Sequence, residues 1–350
     1  MVRILLAASR LDLQELVEKA VRRDSAAELL GVARSTGEAV AMARQLSPDI
    51  VTMELRLGDH DSAEAVREIM ISAPAPIVMV SRENDEELGA AAARALEAGA
   101  LAVIPAPPPV DGRLEKAATE KFLSTIKAMA HVKVVRQWRK KTSDDRRNDQ
   151  GPAAAAHAPI GIVGIAASTG GPAAIRSILM NVSSKFPAPI LIVQHMSSGF
   201  IDGVAASLDA SVPLKVKVAT DGERLRAGTV YLAPDGLQLG VSGRSRIRVV
   251  NDAPVEGFKP SGSYLFGSIA RAFKGEALAV ILTGMGNDGT EGLRSLREAG
   301  GKAIAQDEES SVVFGMPKSA IGAGLVDFVL PLESIGGKIV ALAEGGENGP

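Results

Sequence analysis

Apolar residues in this chain gather in short runs, and the runs alternate with stretches whose apolar positions recur at helical spacing. Between residue 2 and about residue 108 there are five such runs: Val2 to Ala8, Ala27 to Ala33, Asp49 to Leu55, Ala75 to Ser81 and Leu101 to Ala106. The stretches between them, such as Leu11 to Arg23 and Asp85 to Gly99, are rich in Ala and Leu. Five strand–helix units in succession predict a small parallel sheet covered on both faces. In the second half the runs Gly161 to Ala166, Ile190 to Val193 and Ala277 to Leu282 are continuously apolar. Each then gives way to a Gly-containing turn and a helical pattern, as buried parallel strands do. A hairpin-like middle, Gly228 to Asn251, interrupts them. The fold class is therefore α/β in both halves, with the second half doubly wound and mostly parallel.

The two halves are joined by different material. Pro107-Pro108-Pro109 leads into an amphipathic helix near Leu114 to Val135, and a charged, Ala-rich stretch follows. From Asp144 to Ala158 that composition is expected to be mobile. This divides the chain into residues 1–108, a linker 109–157 with one helix, and a second domain 158–345. The basic segment Arg136-Gln137-Trp138-Arg139-Lys140-Lys141 holds the only Trp; it reads as a solvated helix end in preference to a docking element.

Composition narrows the function without naming it. A length of 350 residues implies about two domains. With no cysteine, disulfides, thiolate catalysis and thiolate-held metals are excluded, and the four histidines lack ligand spacing. No metal and no cofactor are expected. A net charge of −2 and 3% aromatic residues give no surface for nucleic acid. No apolar run approaches the roughly 20 residues of a membrane helix, so no membrane insertion is expected. The opening Met1 to Ala7 is apolar but short, and reads as a first strand in preference to a secretory leader. The expected location is cytoplasmic.

Candidate chemistry sits just past three of the apolar runs. Ala167-Ser168-Thr169-Gly170-Gly171, Gln194-His195-Met196 and Gly286-Asn287-Asp288-Gly289 supply Ser, His and Asp. In a doubly wound sheet the carboxyl ends of the strands open onto one crevice, where distant residues converge. A serine nucleophile needs a base within hydrogen-bond reach and a carboxylate to orient that base, and Ser168, His195 and Asp288 fit those roles. The helix that follows Ser168 presents unpaired N–H groups to developing negative charge. Gly170 and Gly171 would let backbone approach a substrate. Each residue also has an ordinary use: Ser168-Thr169 could cap the next helix, and His195 could be a satisfied buried histidine. By spacing alone Asp307, which ends the run Ala303 to Gln306, competes with Asp288. Other chemistries fail on particular residues: there is no G-x-S-x-G elbow, and Gly161 to Gly171 lacks both dinucleotide spacing and a phosphate-loop lysine.

Read together with Val230-Tyr231-Leu232-Ala233-Pro234, Phe258-Lys259-Pro260-Ser261, Thr283-Gly284-Met285 and Val312-Val313-Phe314-Gly315-Met316-Pro317, these segments closely resemble the chemotaxis response-regulator protein-glutamate methylesterases (CheB-type). The resemblance implies a flavodoxin-like receiver domain joined to a methylesterase domain. It implies a hydrolase of glutamyl methyl esters on methyl-accepting chemotaxis receptors, and some members also deamidate receptor glutamines. It implies an oxyanion donor at the Met285 backbone N–H and places Thr169 in the site. A chemotaxis histidine kinase is a further implied partner.

The first domain departs from that pattern. A working receiver has an acidic pair after strand one, an acceptor Asp after strand three, a hydroxyl after strand four and a lysine after strand five. Here these positions carry Ala8 and Ser9, Glu54, Ser81 and Ala106. With one carboxylate left, Mg²⁺ cannot be held in the usual way, so a receiver that is not phosphorylated is expected. Glu54 could mimic a phosphorylated acceptor, but Ala106 leaves no lysine to read its charge. In the second domain Ser197-Ser198, Pro234 to Gln238 and Pro260 to Ser263 also differ from the family's usual segments. The alternative reading is a weakly active or non-catalytic receptor-binding regulator on the same fold.

Overall fold

The computed structural model describes residues 1–81, 86–106, 113–130, 132 and 159–345. The basic Trp138 segment and the stretch from Asp144 to Ala158 lie outside the described residues. Contacts group the chain into two compact units, Met1–Lys141 and Thr142–Pro350.

The first unit runs β1 (Val2–Ala7), α1 (Leu11–Arg22), β2 (Ala27–Ala33), α2 (Thr36–Leu46), β3 (Ile50–Glu54), the two-residue strands β4 (Arg56–Leu57) and β5 (His60–Asp61), α3 (Ala63–Ser72), β6 (Ile77–Ser81), α4 (Glu86–Glu97), β7 (Ala102–Pro105) and α5 (Arg113–Ala130). Its sheet has the order β2-β1-β3-β6-β7, with every pairing parallel. Strands β3 and β6 are buried along their whole length, which is why they read as unbroken apolar runs. The helix placed in the linker by its sequence position is α5 of this unit. Phe122, Leu123, Ile126 and Met129 are buried, and Lys127 pairs with Asp24 at 2.5 Å. A Pro cluster before an amphipathic helix looks the same whether that helix spans domains or packs on one.

The second unit runs β8 (Ile162–Ala167), α6 (Gly171–Leu179), β9 (Ile190–Gln194), α7 (Ile201–Ser211), β10 (Lys215–Val218), β11 (Thr229–Leu232), β12 (Gln238–Ser242), β13 (Arg246–Val250), α8 (Gly262–Phe273), β14 (Ala277–Ile281), α9 (Thr290–Glu298), β15 (Lys302–Gln306), α10 (Met316–Gly322), β16 (Phe328–Leu330) and α11 (Leu332–Ala343). Seven strands form one parallel sheet in the order β10-β11-β9-β8-β14-β15-β16. The stretch Gly228 to Asn251 divides differently from its sequence reading. Thr229–Leu232 is a strand of the main sheet, and only β12 and β13 form the antiparallel hairpin. Tyr231, almost fully buried, closes the core beneath that hairpin with Leu239, Ile247, Phe266 and Ile269.

From β8 the chain winds outward through β9 to one edge, and from β14 it winds outward through β15 to the other. The order reverses at the adjacent strands β8 and β14, which is where an open α/β sheet forms its binding crevice. Among the described residues no helix is long and apolar enough to cross a membrane.

Candidate active site

Three strand ends bring the candidate residues into that crevice. Ser168 follows β8, His195 follows the neighbouring β9, and the loop after β14 carries Met285 and Asp288. Backbone bonds continue the ladder past the strand ends: the His195 N–H donates to Ala167 O (2.9 Å), and the Ser168 N–H to Thr283 O (3.0 Å). The Thr283 hydroxyl donates to Thr169 O (2.9 Å), while its N–H donates to Gln306 Oε1 (2.9 Å), so two fully buried side chains brace the turn from below.

Asp288 is fully buried, and its carboxylate is saturated. Oδ1 accepts from Ser261 Oγ (2.8 Å) and from the Gly289 (2.8 Å) and Ser263 (3.1 Å) N–H groups, and Oδ2 accepts from the Gly262 N–H (2.6 Å). The His195 Nε2 stands 2.8 Å from Oδ2. It lies off the line of the ring N–H, since Nε2 has no aligned acceptor. Burial is the largest influence on this carboxyl and pushes it up. The His195 contact and then the Gly262 and Ser263 N–H groups outweigh it, and the net shift is downward from the ordinary 3.8. Asp288 therefore stays ionised beside His195. The rival Asp307 is occupied elsewhere, its Oδ1 accepting from the Ser310 N–H (3.0 Å) and hydroxyl (2.6 Å) in the turn after β15. Spacing could not separate the two carboxylates; the partners of each do.

The ordinary uses of Ser168 and His195 are not what this fold makes of them. The N-cap of α6 is Gly170, at φ 77°, with no side-chain cap bond, so the Ser168 hydroxyl does not cap the helix. His195 lies against Phe258 in a near-parallel stack, centroids 4.9 Å apart and planes 9° apart. Among the described residues no hydrogen bond joins the Ser168 hydroxyl to the ring, and such bonds commonly tighten only when substrate binds. The N–H groups of Thr169, Gly170 and Met285 donate to no acceptor among the described residues. The Met285 backbone is clamped: Gly284 O accepts from both Gly315 (3.1 Å) and Met316 (2.9 Å), and the Gly284 N–H donates to Val313 O (2.9 Å).

Sequence reasoning missed Phe258, Gln194, Thr283 and Gln306 as parts of this site, and assigned no role to Ser261. Phe258, Gln194 and Thr283 each stand in a segment that carries the family resemblance, but nothing in the sequence gave them a role. Gly171 was read as a point of backbone approach to substrate. A Cβ there would stand 1.9 Å from Gln194 Oε1. Two of the atypical loops meet each other: Asp235 Oδ2 accepts from the Gly199 N–H (2.5 Å) and the Ser198 hydroxyl (3.4 Å), joining the turns after β11 and β9.

The first unit's own crevice lies between β1 and β3. There Glu54 Oε2 accepts from the Ser9 N–H (2.7 Å) and hydroxyl (3.0 Å), and the Ser9 hydroxyl also accepts from the Gly58 N–H (3.1 Å). Ser81 and Asp59 line the same pocket, so a second carboxylate is present that the strand-end comparison overlooked. Ala8 is buried and its carbonyl accepts from Gln14 Nε2 (2.7 Å), while the Ala106 N–H donates to Ser81 O (2.7 Å). Among the described residues no group of three or more His, Asp or Glu stands close enough to hold a metal.

The chain is similar to known proteins along most of its length. The profile of the family described as CheB methylesterase matches residues 163–339, the span that contains all three strand ends. A protein-glutamate methylesterase/protein-glutamine glutaminase of the group 3 operon of Rhizobium meliloti (strain 1021) is 70% identical over 346 residues, 99% of this chain and 97% of its own. Protein-glutamate methylesterase/protein-glutamine glutaminase 4 of Myxococcus xanthus (strain DK1622) is 44% identical, over 98% of this chain and 97% of its own. The crystal structure of the Thermotoga maritima CheB methylesterase catalytic domain is matched over its full length and 53% of this chain, at 40% identity and a TM-score of 0.51. With full-length relatives at this identity and a family profile spanning the whole crevice, the chain belongs to the CheB methylesterase family.

Proposed function

We propose that this protein is a serine hydrolase that cleaves glutamyl methyl esters, and by the same route deamidates glutamines, on methyl-accepting chemotaxis receptors. The observation that carries the reading is the buried, ionised Asp288 held 2.8 Å from His195 at the switch of the sheet, beside Ser168. The names of the full-length relatives supply the substrate class.

The chemistry follows from the geometry. Asp288 lies 2.8 Å from Nε2, and in the proposed mechanism that nitrogen carries the ring proton while Nδ1 accepts the Ser168 proton. Ser168 Oγ attacks the ester carbonyl carbon, and the negative charge that develops on the carbonyl oxygen meets the free N–H groups of Met285 and Thr169. One such donor is typically worth about 3 kcal/mol of transition-state stabilisation. His195 then gives its proton to the departing methoxide, releasing methanol, or to the departing amine when glutamine is the substrate. Water, deprotonated by the same ring, resolves the acyl-enzyme. The Asp288 charge stabilises the imidazolium at both stages, and Phe258 fixes the plane of the ring.

For the first unit we propose a receiver that does not take up phosphate. Glu54 is almost fully buried and tied to Ser9 through one oxygen, and no lysine stands after β7. Incubation with acetyl phosphate should leave its intact mass unchanged; a phosphoryl adduct would overturn this. The activity is tested by methanol release from methylated receptor cytoplasmic fragments. Wild type should release methanol and Ser168→Ala should not, whereas no release by folded wild type would favour a receptor-binding regulator.

A further inference from the structure

Gln194 is nearly fully buried, 3% exposed, at the last position of β9. Its amide nitrogen donates two hydrogen bonds, one to Ser168 O (2.8 Å) and one to His195 O (2.9 Å). Both partners are carbonyls, which can only accept, so the orientation of the amide is dictated by chemistry. One side chain thus spans the two turns that carry the nucleophile and the base.

That arrangement has a cost the fold retains. With the nitrogen committed, Gln194 Oε1 points the other way and is buried without a hydrogen-bond partner. Buried acceptors are rarely left so, and an apolar side chain of the same length would remove the deficit. Room for the oxygen exists only because residue 171 has no side chain: a Cβ would lie 1.9 Å from Oε1 and 2.8 Å from Ala167 Cβ. Two departures from ordinary packing, an orphaned acceptor and an obligatory glycine, therefore support one pair of hydrogen bonds. Neither bond is required by the sheet, since the ladder between β8 and β9 already runs to Ala167 and Gln194.

We propose that Gln194 is a positioning residue that sets the separation of Ser168 and His195 through their own carbonyl groups, and that Gly171 exists to admit it. The inference deepens the hydrolase reading and rests on it. Held this way, the backbone of each turn cannot drift along its strand, and the Ser168 hydroxyl and the His195 ring approach in one register.

The test uses the full chain and two readouts: methanol release from methylated receptor fragments, and the rate at which a fluorophosphonate labels Ser168, which needs no receptor. Gln194→Leu keeps the bulk and removes both donors; Gln194→Glu keeps the shape and presents oxygen where the nitrogen was. Each should lower kcat by roughly 10²-fold with KM little changed, and slow labelling to a similar extent, in protein that melts as a single folded species. Folded variants whose kcat and labelling rate stay within about twofold of wild type would overturn the proposal. Thermal melting separates a structural role, which would lower the melting temperature and leave both rates intact below it. If wild type labels at Ser168, the Gln194 variants label slowly and no protein releases methanol, the positioning role stands and the receptor substrate falls.

Discussion

Single residues here act through the company they keep, and Asp288 shows it most directly. Four donors and His195 surround a carboxylate with no access to water. Asp288→Asn should keep the shape and lose the charge, lowering kcat by roughly 10³–10⁴-fold and stability by about 2 kcal/mol near neutral pH. The pH dependence has a definite sign. Because folding lowers this carboxyl below 3.8, its charge adds stability that is complete above that value and fades as pH falls through the folded value. The difference in melting temperature between wild type and Asp288→Asn should therefore be constant above about pH 3.8 and shrink as pH falls below it. Phe258→Ala removes the face against which the His195 ring lies, and an aromatic stack of this kind is worth about 0.5–1.5 kcal/mol. A fall in kcat of roughly tenfold, read by steady-state methanol release, is expected. Ser168 and His195 were legible in the sequence because each follows an apolar run. The partners of Asp288 were not: Pro260 to Ser263 stood out only as a departure from the family's segments, and nothing in the sequence shows that Ser261, Gly262 and Ser263 turn their donors to a carboxylate 25–27 residues away.

At the level of elements, the site depends on turns that tolerate no side chain. Gly170 sits at φ 77°, and a Cβ there would come within 2.7 Å of Val312 Cβ. Gly170→Ala should therefore destabilise the second unit by about 1–3 kcal/mol and displace the start of α6, lowering the melting temperature and kcat together. Gly284 is confined in the same way, between Met316 Sδ and Ser168 Cβ. The loops after β9 and β11 behave differently, since their link is one partly buried carboxylate. Burial pushes the Asp235 carboxyl up despite the Gly199 and Ser198 bonds, and Asp202 adds to the rise. Asp235→Ala should free these loops and raise KM for receptor fragments severalfold while kcat changes little, as expected for loops that border the crevice without entering the chemistry. The apolar runs located most of the strands of both sheets to within one or two residues. They gave no run for the short edge strands β10 and β16, and failed for β11, where four residues adjoining a hairpin carry no mark of which sheet they join.

Over the whole molecule, each unit has its own parallel sheet and its own buried core. A fragment spanning residues 159–345 should fold cooperatively and label with a fluorophosphonate at Ser168 at a rate comparable to the full chain, since all the donors and partners at the site lie within it. Aggregation of that fragment, or loss of labelling in folded fragment, would count against a self-contained catalytic unit. The sequence by itself determined the α/β class and the three turns that bear Ser, His and Asp, because buried parallel strands leave an apolar run and a Gly-rich turn in any order of assembly. Only the tertiary structure set Asp288 beside His195 and Asp307 in the turn after β15, grouped α5 with the first unit, and placed Phe258 against His195 and Gln194 between the turns that bear Ser168 and His195. Those choices rest on side chains far apart in sequence meeting where the strand order reverses, and periodicity along a chain does not record which strand ends will be neighbours.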